Sequence, residues 1–427
     1  MKNAIESLTK LFLAVAGLAG GVAHASGLIN DAQNGAGAGN AYVGAAALTE
    51  DASVVYSNPA AMSELSNGTS ISTGAAVVDE QATFKNGHST QVAPFVPLGN
   101  QTSSWDTKAA APSLYVTTGV TPDIHLGLGI SGQWFHDENW SDGFIGRYQG
   151  TKTSIIGLNV NPSASFKIND QLSLGLGVDY MRMTAELDRN IPLIVGTTYH
   201  GDGAASEKGE GGAWGYNLGV LYKPFSGTTL GLTYRSKYHI SLNGHTTSPG
   251  ASGAPVTVDS VANETLPDYV SLAINQQLGS QWNMLADVSW YHWSVVQAVV
   301  VQDRSTGAVL TSEPFDFRNG MRSGLAFNYQ WNPSLKLRFG AAYDTGIVPN
   351  STDRSVRFSD SDRIWLGTGA RYALSDKTSL DFGYAHIFTL NSTINRQTVF
   401  KAPSAQYVNG IFSAHADLLT LQVNHNF

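Results

Sequence analysis

From Thr69 to the last residue, apolar and polar side chains alternate with period two in one run after another. At the C-terminal end Leu419, Leu421, Val423, His425 and Phe427 share one face, and Thr420, Gln422, Asn424 and Asn426 the other. Leu380, Phe382 and Tyr384 alternate with Ser379, Asp381 and Gly383. Leu335, Leu337 and Phe339 alternate with Lys336, Arg338 and Gly340, and Leu172, Leu174, Leu176 and Val178 with Ser173, Gly175, Gly177 and Asp179. This pattern predicts strands with one apolar and one polar face. A soluble sandwich alternates too, so the charges decide. A lipid-facing Lys or Arg costs ~2–4 kcal/mol at mid-bilayer, and here the charges keep largely to one parity.

Connection lengths give a second test, because an outer-membrane barrel has short turns at one end and long loops at the other. Turn-forming residues mark short connections at Thr121 to Asp123, Asn169 and Asp170, Lys223 to Gly227, Gly279 and Ser280, Asn332 and Pro333, and Ser375 to Lys377. Between them lie long polar segments at about 80–111, 135–150, 189–213, 243–265, 300–314, 345–361 and 390–412. Their alternation predicts about 14 strands with both ends of the barrel on the short-turn side. Closure removes every edge strand, the condition for a sheet to sit in lipid with its backbone satisfied.

The N-terminal region does not fit the barrel. Residues 1–25 read as a signal peptide: Lys2 and Lys10 flank the start, an apolar run extends from Leu11 to Val22, and Ala23, His24 and Ala25 form an A-x-A site, with Ser26 expected to begin the mature chain. Residues 26–67 are rich in Gly and Ala and predict a compact, mainly helical plug. In it Asn58 is placed to cap a helix with Pro59 at its first position, where the missing N–H costs nothing. The barrel is expected at 68–427.

Composition agrees with this division. Gly numbers 45, aromatics make up 10% and charged residues only 14%, against ~25% charged in soluble domains. Cysteine is absent, which excludes disulfides and thiolate metal sites. The net charge of −8 argues against a nucleic-acid partner. Gly35, Gly37 and Gly39 lack the preceding strand of a dinucleotide site, the His residues show no ligand spacing, and Asp360 with Asp362 reads as a solvated loop rather than a cation site. No enzyme, cofactor or metal is expected.

Gly39 to Tyr42, Glu50 to Ala52 and Asn58 to Ala60 resemble the N-terminal hatch of the FadL family, and Leu232 to Ser236, Leu266 to Asp268, Trp290 to Trp293, Val348 with Pro349, and Asp362 to Leu366 follow in family order. The resemblance covers essentially the whole mature chain. It implies an all-β, 14-stranded antiparallel transmembrane barrel closed by a hatch, located in the Gram-negative outer membrane. It also implies passive transport of long-chain fatty acids or, in other members, aromatic hydrocarbons. Cargo would be caught at the extracellular loops, moved to a pocket at the hatch, and released sideways through a gap at a kinked third strand. Outer-membrane lipid, lipopolysaccharide and the barrel-assembly machinery are the implied partners, the last reading the terminal Phe427, and the implied state is a monomer. A general diffusion porin is the alternative.

The resemblance also ranks residues. Asn58, Pro59 and Ala60 would tie the hatch to the barrel, or simply cap a helix. Arg318 and Arg322 share the polar parity of a run whose apolar members are Phe317, Met321, Leu325 and Phe327, so both are expected in the lumen. Arg318 stands where the family places a basic ligand contact. The competing reading is a brace of charges with Asp316, Asp287, Lys336, Arg338, Arg363 and Arg371. A second basic contact should fall near Thr184, which is uncharged, while Arg182 shares the outward parity of Tyr180, so an uncharged cargo stays open. Gly127, Gly129 and Gly132 lie in the expected third strand, where glycine permits a kink. Trp105, Trp134, Phe135, Trp140 and Phe144 crowd the first long loops, as a capture groove or as an interfacial girdle.

Overall fold

The structure, a computed structural model, describes residues 24–25, 27–30, 32–250, 252–401 and 404–427. The leader therefore lies outside the described residues apart from His24 and Ala25, and so does Ser26. Fourteen antiparallel strands close into a barrel. They are β1 (Thr69–Ser89), β2 (Ser103–Thr121), β3 (Ile124–Asn139), β4 (Lys152–Lys167), β5 (Leu172–Val195), β6 (Thr198–Phe225), β7 (Thr228–Arg235 continued by Tyr238–Pro249) and β8 (Pro255–Leu266 continued by Tyr269–Leu278). There follow β9 (Trp282–Tyr291 continued by Ala298–Asp303), β10 (Val309–Pro314 continued by Gly320–Asn332), β11 (Leu335–Asp344), β12 (Arg363–Ala373), β13 (Thr378–Lys401) and β14 (Ser404–Asn426). Closure comes from β14 pairing back on β1, from Asn426 opposite Ser70 to Val408 opposite Ser89.

The period-two pattern lands as its physics requires. Leu421, Phe382, Leu176 and Phe339 stand outward and exposed, while Thr420, Asp381, Ser173 and Arg338 are buried in the lumen. An apolar band of this extent around a whole molecule needs a nonaqueous partner, and aromatic residues border it as in outer-membrane barrels. Tyr180 packs on Trp214 with ring centroids 4.9 Å apart toward the long-loop end, and Trp282 on Tyr329 at 4.6 Å toward the short turns. Among the described residues no helix is long and apolar enough to cross a membrane.

Every short turn falls where the sequence places it. Most of the long polar segments do not form loops. Strands β5 and β6 run to Val195 and resume at Thr198, β7 and β8 meet across 250–254, and β13 and β14 continue to Lys401 and from Ser404. Above the bilayer both faces of a strand meet water or polar neighbours, so the apolar alternation disappears while the hydrogen-bond ladder continues. Segment 345–362, between β11 and β12, is a true loop.

Residues 32–65 thread the lumen as short 3₁₀ turns at Gly37–Asn40, Ala45–Ala47 and Pro59–Glu64, with one helical turn at Val54–Ser57. Their backbone lies directly on the barrel wall. A Cβ added at Gly340 would collide with Asn40, at Gly231 with Ala46, and at Gly175 with Pro59 and Ala60. Glycine is required at these wall positions for the close approach itself.

Candidate functional site

The N-terminal segment is bound by polar ties at several levels of the wall. Asn58, fully buried, accepts a hydrogen bond from Ala60 N at 3.1 Å and so caps the Pro59–Glu64 turn. Its Nδ2 also donates to Ala46 O at 2.7 Å and to Val220 O of β6 at 3.1 Å. The cap and the tether are the same side chain. Lower down, Glu50 meets Lys336 at 2.9 Å and Arg338 at 2.7 Å. Arg371 bridges Asp51 at 2.5 Å and Asp381 at 2.6 Å, and Arg338 also reaches Asp381 at 2.9 Å. Burial alone would raise the Glu50 carboxyl, but Arg338, Lys336 and Arg371 prevail and hold it well below the usual carboxylate range.

The expected brace of basic residues thus exists in part, with acidic partners in the N-terminal segment. Asp287 accepts from Gly44 N at 2.8 Å, and Arg363 pairs instead with Asp360 at 2.5 Å. Arg322 is buried in the lumen as expected; it donates to Ala41 O and lies 5.4 Å from the Trp365 ring centroid.

Arg318 is not in the lumen. Its side chain is 50% exposed and its Nε donates to Gly346 O at 3.0 Å. The cause is a break in β10: residues 315–319 leave the strand and Asp316 takes a left-handed φ of 48°, so the parity that holds from Gly320 onward does not carry back through them. Phe315 and Phe317 turn inward in its place. Thr184 and Arg182 both face outward, Arg182 on Glu210 at 2.8 Å.

Strand β3 is irregular at one of the three glycines singled out. Its register with β4 shifts between Gly132 and Trp134, and the residues from Gln133 to His136 are all buried. Gly127 and Gly129 do not mark the kink: a Cβ at the first would strike Met62 and Val55, and at the second Tyr115, so they face inward and admit close packing. Above the kink β2 and β3 separate. Their ladder runs from Thr121 opposite Ile124 to Ser113 opposite Ser131 and stops, although β2 continues on β1 to Ser103 and β3 on β4 to Asn139. Beyond the opening, Thr107 Oγ1 donates to Asp137 O at 3.0 Å. On the inner side the N-terminal segment takes up the freed β3 backbone, with Ile29 paired to Trp134 and Gln33 Nε2 donating to Gly132 O at 2.8 Å.

Beside this opening lies a cavity of ≈ 90 Å³ bordered by Trp134, Met183, Trp293, Phe315, Phe317 and Phe358, among other apolar residues, with His136, Thr153, Glu264 and Arg357 as its ionisable or polar members. The aromatic rings are linked in a chain: Trp134 to Trp293 at 5.7 Å, Trp293 to Phe317 at 5.8 Å, Phe317 to Phe315 at 5.0 Å and to Phe358 at 5.1 Å. Of the aromatics singled out in the sequence only Trp134 borders it. Phe135 belongs to the cluster of Ala109 and Ala111 behind the opening. Trp140 and Phe144 stack at 4.9 Å within a closed core of Phe84, Trp105 and Phe412, so they form neither an open groove nor a girdle. Trp140 Nε1 also donates to Val356 O at 3.0 Å, which helps hold loop 345–362 folded into the barrel mouth.

Arg357 and Phe358 on that loop, and Phe315 and Phe317 in the break of β10, went unmarked as site residues in the sequence, and Trp293, in the break of β9, was marked only within the family pattern. The loop has no period to read, and Phe317 was assigned to lipid by the parity argument that Asp316 breaks.

A closed barrel with an apolar outer belt, a segment filling its lumen and a greasy cavity beside a gap in its wall defines an outer-membrane transport protein. The chain matches the family described as outer membrane protein transport protein (OMPP1/FadL/TodX) over residues 16–427, and it belongs to that family. A long-chain fatty acid transport protein of Escherichia coli O6:H1 is 27% identical over 384 residues, covering 82% of this chain and 84% of that one. The crystal structure of a Pseudomonas aeruginosa FadL homologue superposes with a TM-score of 0.85 at 22% identity, covering 94% of this chain and 100% of that one. The Pseudomonas putida toluene transporter TodX superposes at 0.69 and 17% identity, covering 92% and 98%. At these identities the two structures establish the fold.

Proposed function

We propose that this chain carries hydrophobic molecules, long-chain fatty acids foremost, passively inward: capture at the extracellular side, transfer to the apolar cavity, and sideways exit between β2 and β3 into the membrane. The observation carrying this reading is the coincidence of cavity and opening. Trp134 borders the cavity and stands on the register shift where β2 and β3 part. Burying a methylene is worth ~0.8 kcal/mol, so a C16 chain resists water by about 12 kcal/mol. For such a molecule an aqueous channel is a barrier and a lateral apolar exit is a path. The route contains no catalytic step.

The test is uptake of oleate and of toluene by a deletion strain against wild type. Loss of oleate uptake supports the reading, and no change in either solute overturns it. Uncharged aromatic hydrocarbons by the same route are the second reading, favoured by the narrow, ring-lined cavity and by the fold shared with a toluene transporter. Loss of toluene uptake with oleate unaffected selects it.

A further inference from the structure

The cavity wall holds one buried cation without an ion-paired carboxylate, Arg357. Arg357 is 4% exposed, and of its guanidinium only Nη1 is engaged, donating to Lys152 O at 2.8 Å. None of the carboxylates among the described residues forms an ion pair with it. The acidic groups that influence it stand beyond ion-pair distance: Glu313 holds Arg396 at 3.0 Å and accepts from Ser355 Oγ at 2.8 Å, Glu207 accepts from Thr311, and Asp188 of β5 lies opposite Lys152. Burial pulls the guanidinium below its ordinary range, outweighing the three acids. The Thr153 hydroxyl, next in sequence to the carbonyl on which Arg357 rests, is also buried at the cavity without a hydrogen-bond partner. Leaving a buried charge and a buried hydroxyl unpaired is costly, unless the groups they await arrive with the cargo. The cavity's own carboxyl, Glu264, lies opposite Ile240 of β7 and forms no ion pair with Arg357.

We infer that Arg357, presented by loop 345–362 with Thr153 beside it, receives the carboxylate of an acidic amphiphile whose tail enters the apolar cavity. This rests on the cavity being the cargo site, and it narrows the cargo to acids. Arginine suits the task because its planar donors match a carboxylate in pairs.

The test compares binding of laurate and of methyl laurate at pH 8 to the full chain in lipid nanodiscs, for wild type, Arg357→Gln and Arg357→Lys. Wild type is expected to prefer the acid by roughly tenfold or more. Arg357→Gln should abolish that preference while keeping methyl laurate affinity within about twofold, and Arg357→Lys should restore part of it. Equal binding of both ligands by wild type, or a preference that survives in Arg357→Gln, overturns the assignment. So does joint loss of both ligands in Arg357→Gln, which marks the residue as structural. Binding of neither ligand by wild type overturns the cargo site itself, a result distinct from failure of the Arg357 assignment.

Discussion

Replacing Glu50 with Gln tests whether charge holds the N-terminal segment in the lumen. Lys336, Arg338 and Arg371 of the wall face Glu50 and Asp51 of the segment and Asp381 of β13, three cations against three anions within 2.5–3.3 Å. Glu50→Gln keeps the shape, removes one anion and leaves an uncompensated charge next to Arg338, whose side chain is fully buried. Breaking a buried pair in this way costs about 3–5 kcal/mol, a fall of roughly two to three and a half orders of magnitude in the docked-to-undocked ratio. Planar-bilayer recording reads it directly: wild type should conduct little, and Glu50→Gln should open often. The double variant Glu50→Gln with Lys336→Met restores neutrality and should close again.

Acid should act like the mutation. The Glu50 carboxyl is held well below its unreacted value of 4.5, so its contribution is complete above that pH and is lost as pH falls from 4.5 through the lower folded value. Wild-type openings should rise below pH 4.5, and this component should be missing from Glu50→Gln. Conductance indistinguishable between the two proteins at neutral pH would refute the reasoning.

Other expectations follow from the site. Thr107→Cys with Asp137→Cys in this cysteine-free chain places two thiols across the opening, where Thr107 Oγ1 lies 3.0 Å from Asp137 O; joining them with a short bifunctional thiol reagent should slow oleate uptake, and equal rates with and without the reagent would count against exit between β2 and β3. Arg318→Ala should leave laurate affinity within about twofold, since the side chain is half-exposed and tied to Gly346; a tenfold loss by calorimetry would return it to the cargo site. Trp140→Ala should destabilise the aromatic core around Phe144 by about 3–5 kcal/mol and free loop 345–362 to limited proteolysis, its tie to Val356 being gone; an unchanged cleavage pattern would show that the loop is held elsewhere.

The barrel was legible because lipid imposes its alternation on every crossing strand, and a single Lys on the wrong parity is costly. The upper reaches of β5 to β8 were not legible, since strands wetted on both faces lose that signal while keeping their ladder. Arg318 was misplaced for a related reason: parity presumes an unbroken strand, and one left-handed residue, Asp316, resets it. Trp140 and Phe144 were read as a capture groove or a girdle; they lie instead in a buried core whose other members Phe84 and Phe412 come from β1 and β14, a proximity that exists only after closure. Arg357 carried no local signal. Its meaning comes from a carbonyl of β4 that is 205 positions away.

The two halves of the molecule are secured by different physics, and that difference determines which half can move. Each barrel strand is bound on both sides by hydrogen-bond ladders, interrupted above Ser113 and Ser131 where β2 and β3 part. The N-terminal segment lies on glycines, contributes little regular secondary structure, and carries Ala41 and Tyr42 in left-handed conformations with φ of 49° and 57°. Such residues cost on the order of 1–3 kcal/mol each and persist only where neighbours over-determine them. Here Arg322 takes Ala41 O, Tyr42 Oη donates to Asn34 O at 3.1 Å, and the Tyr42 ring meets Trp365 edge-on at 6.4 Å. A segment strained in itself and held by side-chain packing and polar ties rather than by a ladder can shift without unfolding the barrel. The same segment pairs with Trp134 where β2 and β3 part, so its first residues touch the cavity wall and the break in the ladder together.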